Sequence, residues 1–215
     1  MYFIGLTFHQ NFVQFKKLDS FRRQFDPQFH HCKMLQMTLL PPFELPKLQG
    51  LQSGKQIDQL CLQLEEDLES VFFGQENLMR LDFEKLEFSF NRKPMIYLRA
   101  QLPEEIIFAQ QTLAQSLEDW EVTFKRQGKK FYETVLPIGR PKKEMILHQA
   151  ISTARSDFSF PISLYVSSIV VFEKLPGHWP VVKRIYHCDI DPNEMRPNEF
   201  GISKDEKELW LNSNS

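Results

Sequence analysis

The chain has 215 residues, and its 26 basic and 28 acidic side chains leave a formal net charge of −2, which excludes a global basic excess of the kind that attracts nucleic acid. A chain of this length fits one large domain or two small packed lobes. Three isolated cysteines favour reduced thiols in a cytoplasmic protein over a disulfide framework or a structural zinc site, and no apolar run approaches the roughly 20 residues of a membrane-spanning helix.

The first half of the chain predicts a strand, a helix, a strand, a helix and further strands. Apolar and polar residues alternate, as in strands, over residues 2–8, 34–40, 78–90 and 94–100. Apolar residues recur every three or four positions, as in amphipathic helices, over residues 11–25 and 53–72. We expect Pro41 and Pro42 to end the second strand, because proline cannot donate to a ladder, and Gly74 to cap the second helix.

The second half repeats this order of helices followed by strands. A helix is predicted from Pro103 to Trp120, because proline favours the first turn. The remaining predicted elements are a strand at 132–138, a helix at 142–154 and two strands at 160–173 and 181–190. We therefore expect an α+β fold of two similar lobes, each an antiparallel-rich sheet backed by helices, around a central cleft.

The predicted domain spans residues 1–190. The remaining residues, 191–215, are polar and lack periodicity, so we expect a tail that is extended or partly disordered. Its few apolar side chains are suited to a contact with a partner or with a second copy of the chain.

The stretch from Met34 to Phe43 reads Met-Leu-Gln-Met-Thr-Leu-Leu-Pro-Pro-Phe. It resembles the first signature of the 2H phosphoesterases, the superfamily of 2′-5′ RNA ligase-like proteins and cyclic phosphodiesterases, which is His-x-Thr followed by apolar residues. Thr38 occupies the position of the threonine, and Gln36 that of the histidine. The resemblance implies a site in which two imidazoles move protons at one phosphodiester. Glutamine can bind a phosphate oxygen through its amide but cannot exchange protons at neutral pH.

A later stretch that ends at Arg140 loosely resembles the second signature, His-x-Thr-Leu-Gly-Arg. Anchored on Thr134, the histidine position is occupied by Tyr132. Anchored on the Gly-Arg end, the two key positions are Val135 and Pro137. Neither register supplies a histidine, although the Gly-Arg anchor fits the place of the strand in the family fold better.

The resemblance implies a ligand-binding set of Gln36, Thr38, Thr134 and Arg140, with Tyr132 as a stacking or hydrogen-bonding group. We expect a 2H phosphoesterase-like protein that has lost both catalytic histidines and binds a nucleotide, an RNA end or another phosphoester in its cleft. No motif calls for a metal or a cofactor.

Two alternatives remain open at the level of sequence. One is an active cyclic phosphodiesterase or RNA ligase with a rearranged acid–base pair, formed by His30 or His31 with Tyr132. The other is a structural or partner-binding module that acts through residues 191–215.

Overall fold

The computed structural model describes residues 1–29, 34–46, 53–73, 79–90, 94–124 and 135–188. Four helices lie in these ranges: α1 (Val13–Phe25), α2 (Ser53–Phe72), α3 (Glu104–Asp119) and α4 (Glu144–Asp157). The strands are β1 (Tyr2–Phe8), β2 (Gln36–Glu44), β3 (Arg80–Ser89), β4 (Met95–Ala100), β5 (Thr123–Phe124), β6 (Val135–Gly139), β7 (Ile162–Glu173) and β8 (Val181–His187). The predicted cap at Gly74 and the predicted tail from residue 191 lie outside the described ranges.

One long strand, β7, joins the two lobes into a single eight-stranded antiparallel sheet. Residues 166–173 of β7 pair with β1, which continues the sheet through β2 to β5, and β8 pairs along the same part of β7; we call these strands half A. Residues 162–165 pair with β3, which leads to β4 and β6, and we call this half B. Helices α2 and α3 pack on half A, and α1 packs on half B. The predicted α+β fold of two helix-backed lobes is confirmed.

A β-bulge interrupts β7 where it passes from half A to half B. Thr7 lies opposite Ser168 and Phe8 lies opposite Val166, so Ser167 is an extra residue in the ladder. Bulges of this kind redirect side chains and are frequent beside functional sites. Here the bulge brings the hydroxyls of both Ser167 and Ser168 within hydrogen-bond distance of Thr7.

The prediction that Pro41 and Pro42 end the second strand is wrong, because β2 continues to Glu44. The pairing with β1 runs from Ile4 opposite Leu40 to Tyr2 opposite Phe43. Two prolines therefore face a single residue of β1, and at such an irregularity the ladder does not need their missing N–H groups.

Phenylalanine rings fill much of the core, in accordance with the 20 phenylalanines of the sequence. Phe43, Phe83 and Phe172 are among the largest side chains that are fully buried. A second, smaller cluster consists of Phe3, Val170 and Phe172, with Met34 and Trp179 packed against it. Within the described ranges, no helix has the length and apolar character required to cross a bilayer.

Candidate functional site

Gln36 and Thr38 lie on the face of half A that points away from α2 and α3. Both side chains are half-buried, whereas Met37 and Leu39 between and beside them are fully buried. The amide of Gln110 in α3 donates to the carbonyl oxygen of Leu39 at 2.7 Å, which places α3 against this part of β2. Because side chains alternate along a strand, Gln36 and Thr38 share the opposite face, which we call the site face.

Four polar residues are aligned across the site face of half A. The strand register sets Gln36 of β2 opposite Thr7 of β1, Thr7 opposite Ser168 of β7, and Ser168 opposite His187 of β8. Directly opposed residues in an antiparallel pair point to the same face. We call these four residues the polar row; it spans three strand spacings, or about 14 Å.

A second row lies next to the polar row. It runs from Thr38 through Gly5 and Val170 to Arg184. A Cβ atom at Gly5 would lie 3.0 Å from the backbone oxygen of Met37, so this position requires glycine for the close approach of β1 and β2. The second row therefore carries a hydroxyl at one end and a guanidinium at the other.

The side-chain amide of Gln36 has an unsatisfied acceptor. Its Oε1 is buried and has no hydrogen-bond partner among the described residues. A buried polar atom left without a partner costs about 1–3 kcal/mol, so such atoms are exceptional in native proteins. A ligand that donates a hydrogen bond at this point would remove the cost.

In half B, Val135 and Pro137 occupy the corresponding face of β6. Both are half-buried, while Leu136 and Ile138 are fully buried. β6 also contacts β2, so the two strands that carry the family-derived positions are neighbours. Neither Val135 nor Pro137 offers a proton donor or acceptor in its side chain, and proline lacks the backbone N–H as well.

Two polar side chains of β4 lie beside these two positions. Arg99 lies opposite Val135, and Tyr97 lies opposite Pro137. Register partners share a face, so a guanidinium and a phenol border the positions that the Gly-Arg register predicts for the second motif. The guanidinium has five N–H groups and can donate to a phosphate oxygen as well as to a neighbouring carboxylate.

Glu87 of β3 joins this cluster and is held as a carboxylate. Arg99 donates to Glu87 from Nε at 3.0 Å, and Lys85 forms an ion pair with Glu87 at 2.8 Å. The hydrogen bonds from Arg99 and Lys85, with a smaller one from Tyr97, lower the pKa of Glu87 to about 2. Two cations around one carboxylate leave this patch with a net positive charge.

We expect Glu87→Gln to lower the free energy of unfolding at pH 7 by about 0.5–1 kcal/mol, the range of partly exposed ion pairs. The pKa of Glu87 lies below its ordinary value of 4.5, so its contribution is present above pH 4.5 and is lost as pH falls toward 2. The difference between wild type and variant should therefore vanish near pH 2. Urea unfolding at both pH values measures it, with exposed Glu84→Gln as the control; an equal effect of the control would contradict the ion-pair account.

Arg140, directly after β6, has a structural partner. Its Nη1 lies 2.5 Å from Oδ2 of Asp26, whose side chain is fully buried at the end of α1. Its backbone N–H donates to the carbonyl of Phe25 at 3.1 Å. Arg140 also lines a separate pocket of about 450 Å³ with Pro27 and Lys142. A contact between Arg140 and the ligand stays a prediction.

The other predicted site residues, namely His30, His31, Tyr132 and Thr134, lie outside the described residues. No group of three metal-binding side chains occurs within the described ranges.

Sequence reasoning missed six polar residues on the site face of half A and on the corresponding face of half B: Thr7, Ser168, Arg184, His187, Tyr97 and Arg99. No motif marks them, because they become neighbours only through strand register. The adjacent hydroxyls of Ser167 and Ser168 inside an otherwise apolar strand were the one visible signal.

Comparison with solved structures identifies proteins of similar fold. No protein-family model matches the sequence, and no curated protein matches it significantly. A crystal structure of a phosphoesterase matches with a TM-score of 0.50 and 11% identity, covering 87% of this chain and 98% of that one. E. coli LigT complexed with 3′-AMP matches with a TM-score of 0.52 and 12% identity, again over 87% and 98%. At such identities the likeness shows the fold alone, and it confirms the fold implied by the motif around Thr38.

Proposed function

We propose that this protein is a 2H phosphoesterase-like protein that binds a nucleotide, an RNA end or another phosphoester without acid–base catalysis. The observation that carries the proposal is the buried Oε1 of Gln36, which has no hydrogen-bond partner among the described residues. Gln36 lies two residues before Thr38, on the same face of the strand. A phosphate ion offers mainly acceptors, whereas a nucleotide adds the hydroxyls of its ribose. The Gln36 oxygen therefore favours a ligand that carries hydroxyl as well as phosphate.

The remaining groups suit the phosphate of such a ligand. The Thr38 hydroxyl and the Gln36 amide N–H can donate to phosphate oxygens from half A. Arg99 supplies N–H donors next to β6, the strand of half B that contacts β2. One of the similar solved structures, LigT, was crystallised with 3′-AMP, which makes a nucleoside monophosphate a suitable first probe.

The same positions argue against turnover. Gln36 occupies the first histidine position, and Val135 or Tyr132 the second, depending on the register. Loss of one general acid or base typically costs about 10²–10⁴-fold in rate. A site without either imidazole is therefore suited to binding rather than to hydrolysis.

We expect Thr38→Val to weaken binding of a nucleoside 2′,3′-cyclic phosphate about tenfold, because it removes a hydroxyl that donates to a charged group while keeping the shape of the side chain. Isothermal titration calorimetry on the full chain measures the dissociation constants. Thr153→Val, on α4, is the matched control and should leave the affinity unchanged. Absence of saturable binding at millimolar ligand, or equal effects of the two variants, would reject the ligand site.

A cytoplasmic location is part of the proposal. It is supported by Cys61 and Cys188, which are buried free thiols in the structure, as is usual in a reducing compartment.

A further inference from the structure

A pocket opens along the polar row, from Thr7, which lies opposite Gln36, to His187. Its volume is about 540 Å³, which is within the range of small-molecule sites. β1, β7 and β8 meet there, and its polar lining consists of Thr7, His9, Gln10, Ser167, Ser168, Arg184 and His187. We call it the β7 pocket.

Three hydroxyls at the floor of the β7 pocket form a chain. Oγ1 of Thr7 lies 2.8 Å from Oγ of Ser167 and 2.7 Å from Oγ of Ser168. Thr7 and Ser168 are buried, whereas Ser167, which the bulge adds to β7, is partly exposed. The proton of Thr7 has two acceptors, Oγ of Ser167 and the backbone oxygen of Ser168 at 3.3 Å. When Thr7 donates to Ser167, the proton of Ser167 is directed to an acceptor in the pocket. Such chains strengthen the terminal hydrogen bond.

Two imidazoles border this hydroxyl chain in fixed orientations. Nδ1 of His187 lies 3.1 Å from the carbonyl oxygen of Ser167, and Nε2 of His9 lies 3.1 Å from that of Cys188. A carbonyl oxygen only accepts, so both ring nitrogens donate. Each ring is therefore anchored by the backbone of β7 or of the residue that follows β8.

The charge of the lining is positive. Arg184 is exposed on the site face. Among the described residues, it forms no ion pair with a carboxylate, and no aspartate or glutamate lines the pocket. A guanidinium beside hydroxyl donors matches the geometry of phosphate oxygens, because the planar fork donates two parallel hydrogen bonds. In the described part of the chain, an anion therefore finds hydrogen-bond donors here and no carboxylate.

We propose that the β7 pocket binds a terminal phosphate group, either inorganic phosphate or the phosphomonoester of a nucleotide. This site goes beyond the proposed function because it uses neither Gln36 nor Thr38. His187 lies about 14 Å from Gln36 and Arg184 about 14 Å from Thr38 along the two rows, whereas Thr7, at the other end of the pocket, lies opposite Gln36. A ligand that reached both would carry a phosphomonoester in addition to its phosphoester.

NMR-detected titration of the full chain with inorganic phosphate at constant ionic strength tests this site. Arg184→Met should weaken binding at least about tenfold, since it removes a charge-assisted hydrogen bond while keeping an unbranched side chain. Ser167→Ala should weaken binding about fivefold through the lost hydroxyl. Arg155→Met, which removes an equal charge from α4, should change nothing, and the amide spectra of all three variants should remain those of the folded protein.

Adenosine 3′-monophosphate should show the same dependence on Arg184, and adenosine should not bind at this pocket. Equal losses in Arg184→Met and Arg155→Met, or no saturable binding of millimolar phosphate, would overturn the inference. If phosphate binding does not depend on Arg184 but a 2′,3′-cyclic nucleotide still binds in a Thr38-dependent manner, the β7 pocket is rejected and the proposed function stands. Conversely, Arg184-dependent phosphate binding without cyclic-nucleotide binding would support the β7 pocket and reject the proposed function.

Discussion

The double variant Gln36→His/Val135→His is expected to hydrolyse nucleoside 2′,3′-cyclic phosphates at least about 100-fold faster than the natural sequence. Gln36 and Val135 are half-buried on strands that contact each other, and in the Gly-Arg register they are the two family positions for histidine. Two imidazoles there would supply the proton acceptor and the proton donor that amide and isopropyl groups cannot. We expect the gain to be at the low end of the range, because Pro137 cannot donate to the phosphate in place of threonine.

Each single variant should gain far less, since one imidazole cannot both remove and supply a proton in the same step. Gln36→Asn/Val135→Asn is the matched control, because asparagine is polar and does not titrate. Product formation by chromatography is the measurement. A folded, nucleotide-binding double variant that remains inactive would show that Val135 does not face the phosphoester and would favour the register anchored on Thr134. Turnover by the natural sequence would contradict the non-catalytic proposal itself.

The variant Arg140→Met is expected to lower the free energy of unfolding by about 3 kcal/mol, the low end for breaking a buried ion pair. The side chain of Asp26 is 0% exposed and that of Arg140 is 27% exposed, so the substitution would leave a buried carboxylate with little access to water. The backbone N–H of Gln28 still donates to Asp26 Oδ1 at 3.0 Å, which moderates the loss.

Chemical denaturation of the variant and of a double-mutant cycle measures this pair. In the background of Asp26→Asn, Arg140→Met should cost less than about 1 kcal/mol, because no buried charge is left behind. Arg23→Met, which breaks the exposed pair with Asp19, should also cost less than about 1 kcal/mol. A cost for Arg140→Met as small as that of Arg23→Met would show that the pair does not hold α1 to β6. Arg140 would then be released for the predicted role at the ligand.

Most of the elements follow from local spacing, and the sequence predicts them for that reason. The alternation of Tyr2–Phe8 and the three-to-four spacing within Ser53–Phe72 depend only on neighbouring residues, and both elements appear as predicted. The two-residue strand β5 carries no periodicity, and it exists only because Phe43 and Glu44 offer it an edge. The continuation of β2 through its prolines likewise depends on an irregularity in the partner strand.

The sequence predicts only those site residues that lie within one short motif. Gln36 and Thr38 are two residues apart, so a strand period of two places them on one face without knowledge of the fold. Thr7 and Ser168 are 161 residues apart, and no local rule sets one opposite the other. The pairing of Arg140 with Asp26 is unpredictable for the same reason, because the sequence of the turn around Arg140 does not reveal that the side chain of Asp26 is buried.

The strand shared by the two halves has a consequence for the order in which the protein forms. β1 is the first strand of the chain, yet its partner in the middle of the sheet, β7, ends only at Glu173. During synthesis from the N-terminus, neither half can close until β7 has left the ribosome, and until then the long edge of β1 stays unpaired. Pairing across such a separation requires a large loop-closure entropy, which slows folding. An apolar edge of this kind is a natural binding site for a chaperone during translation.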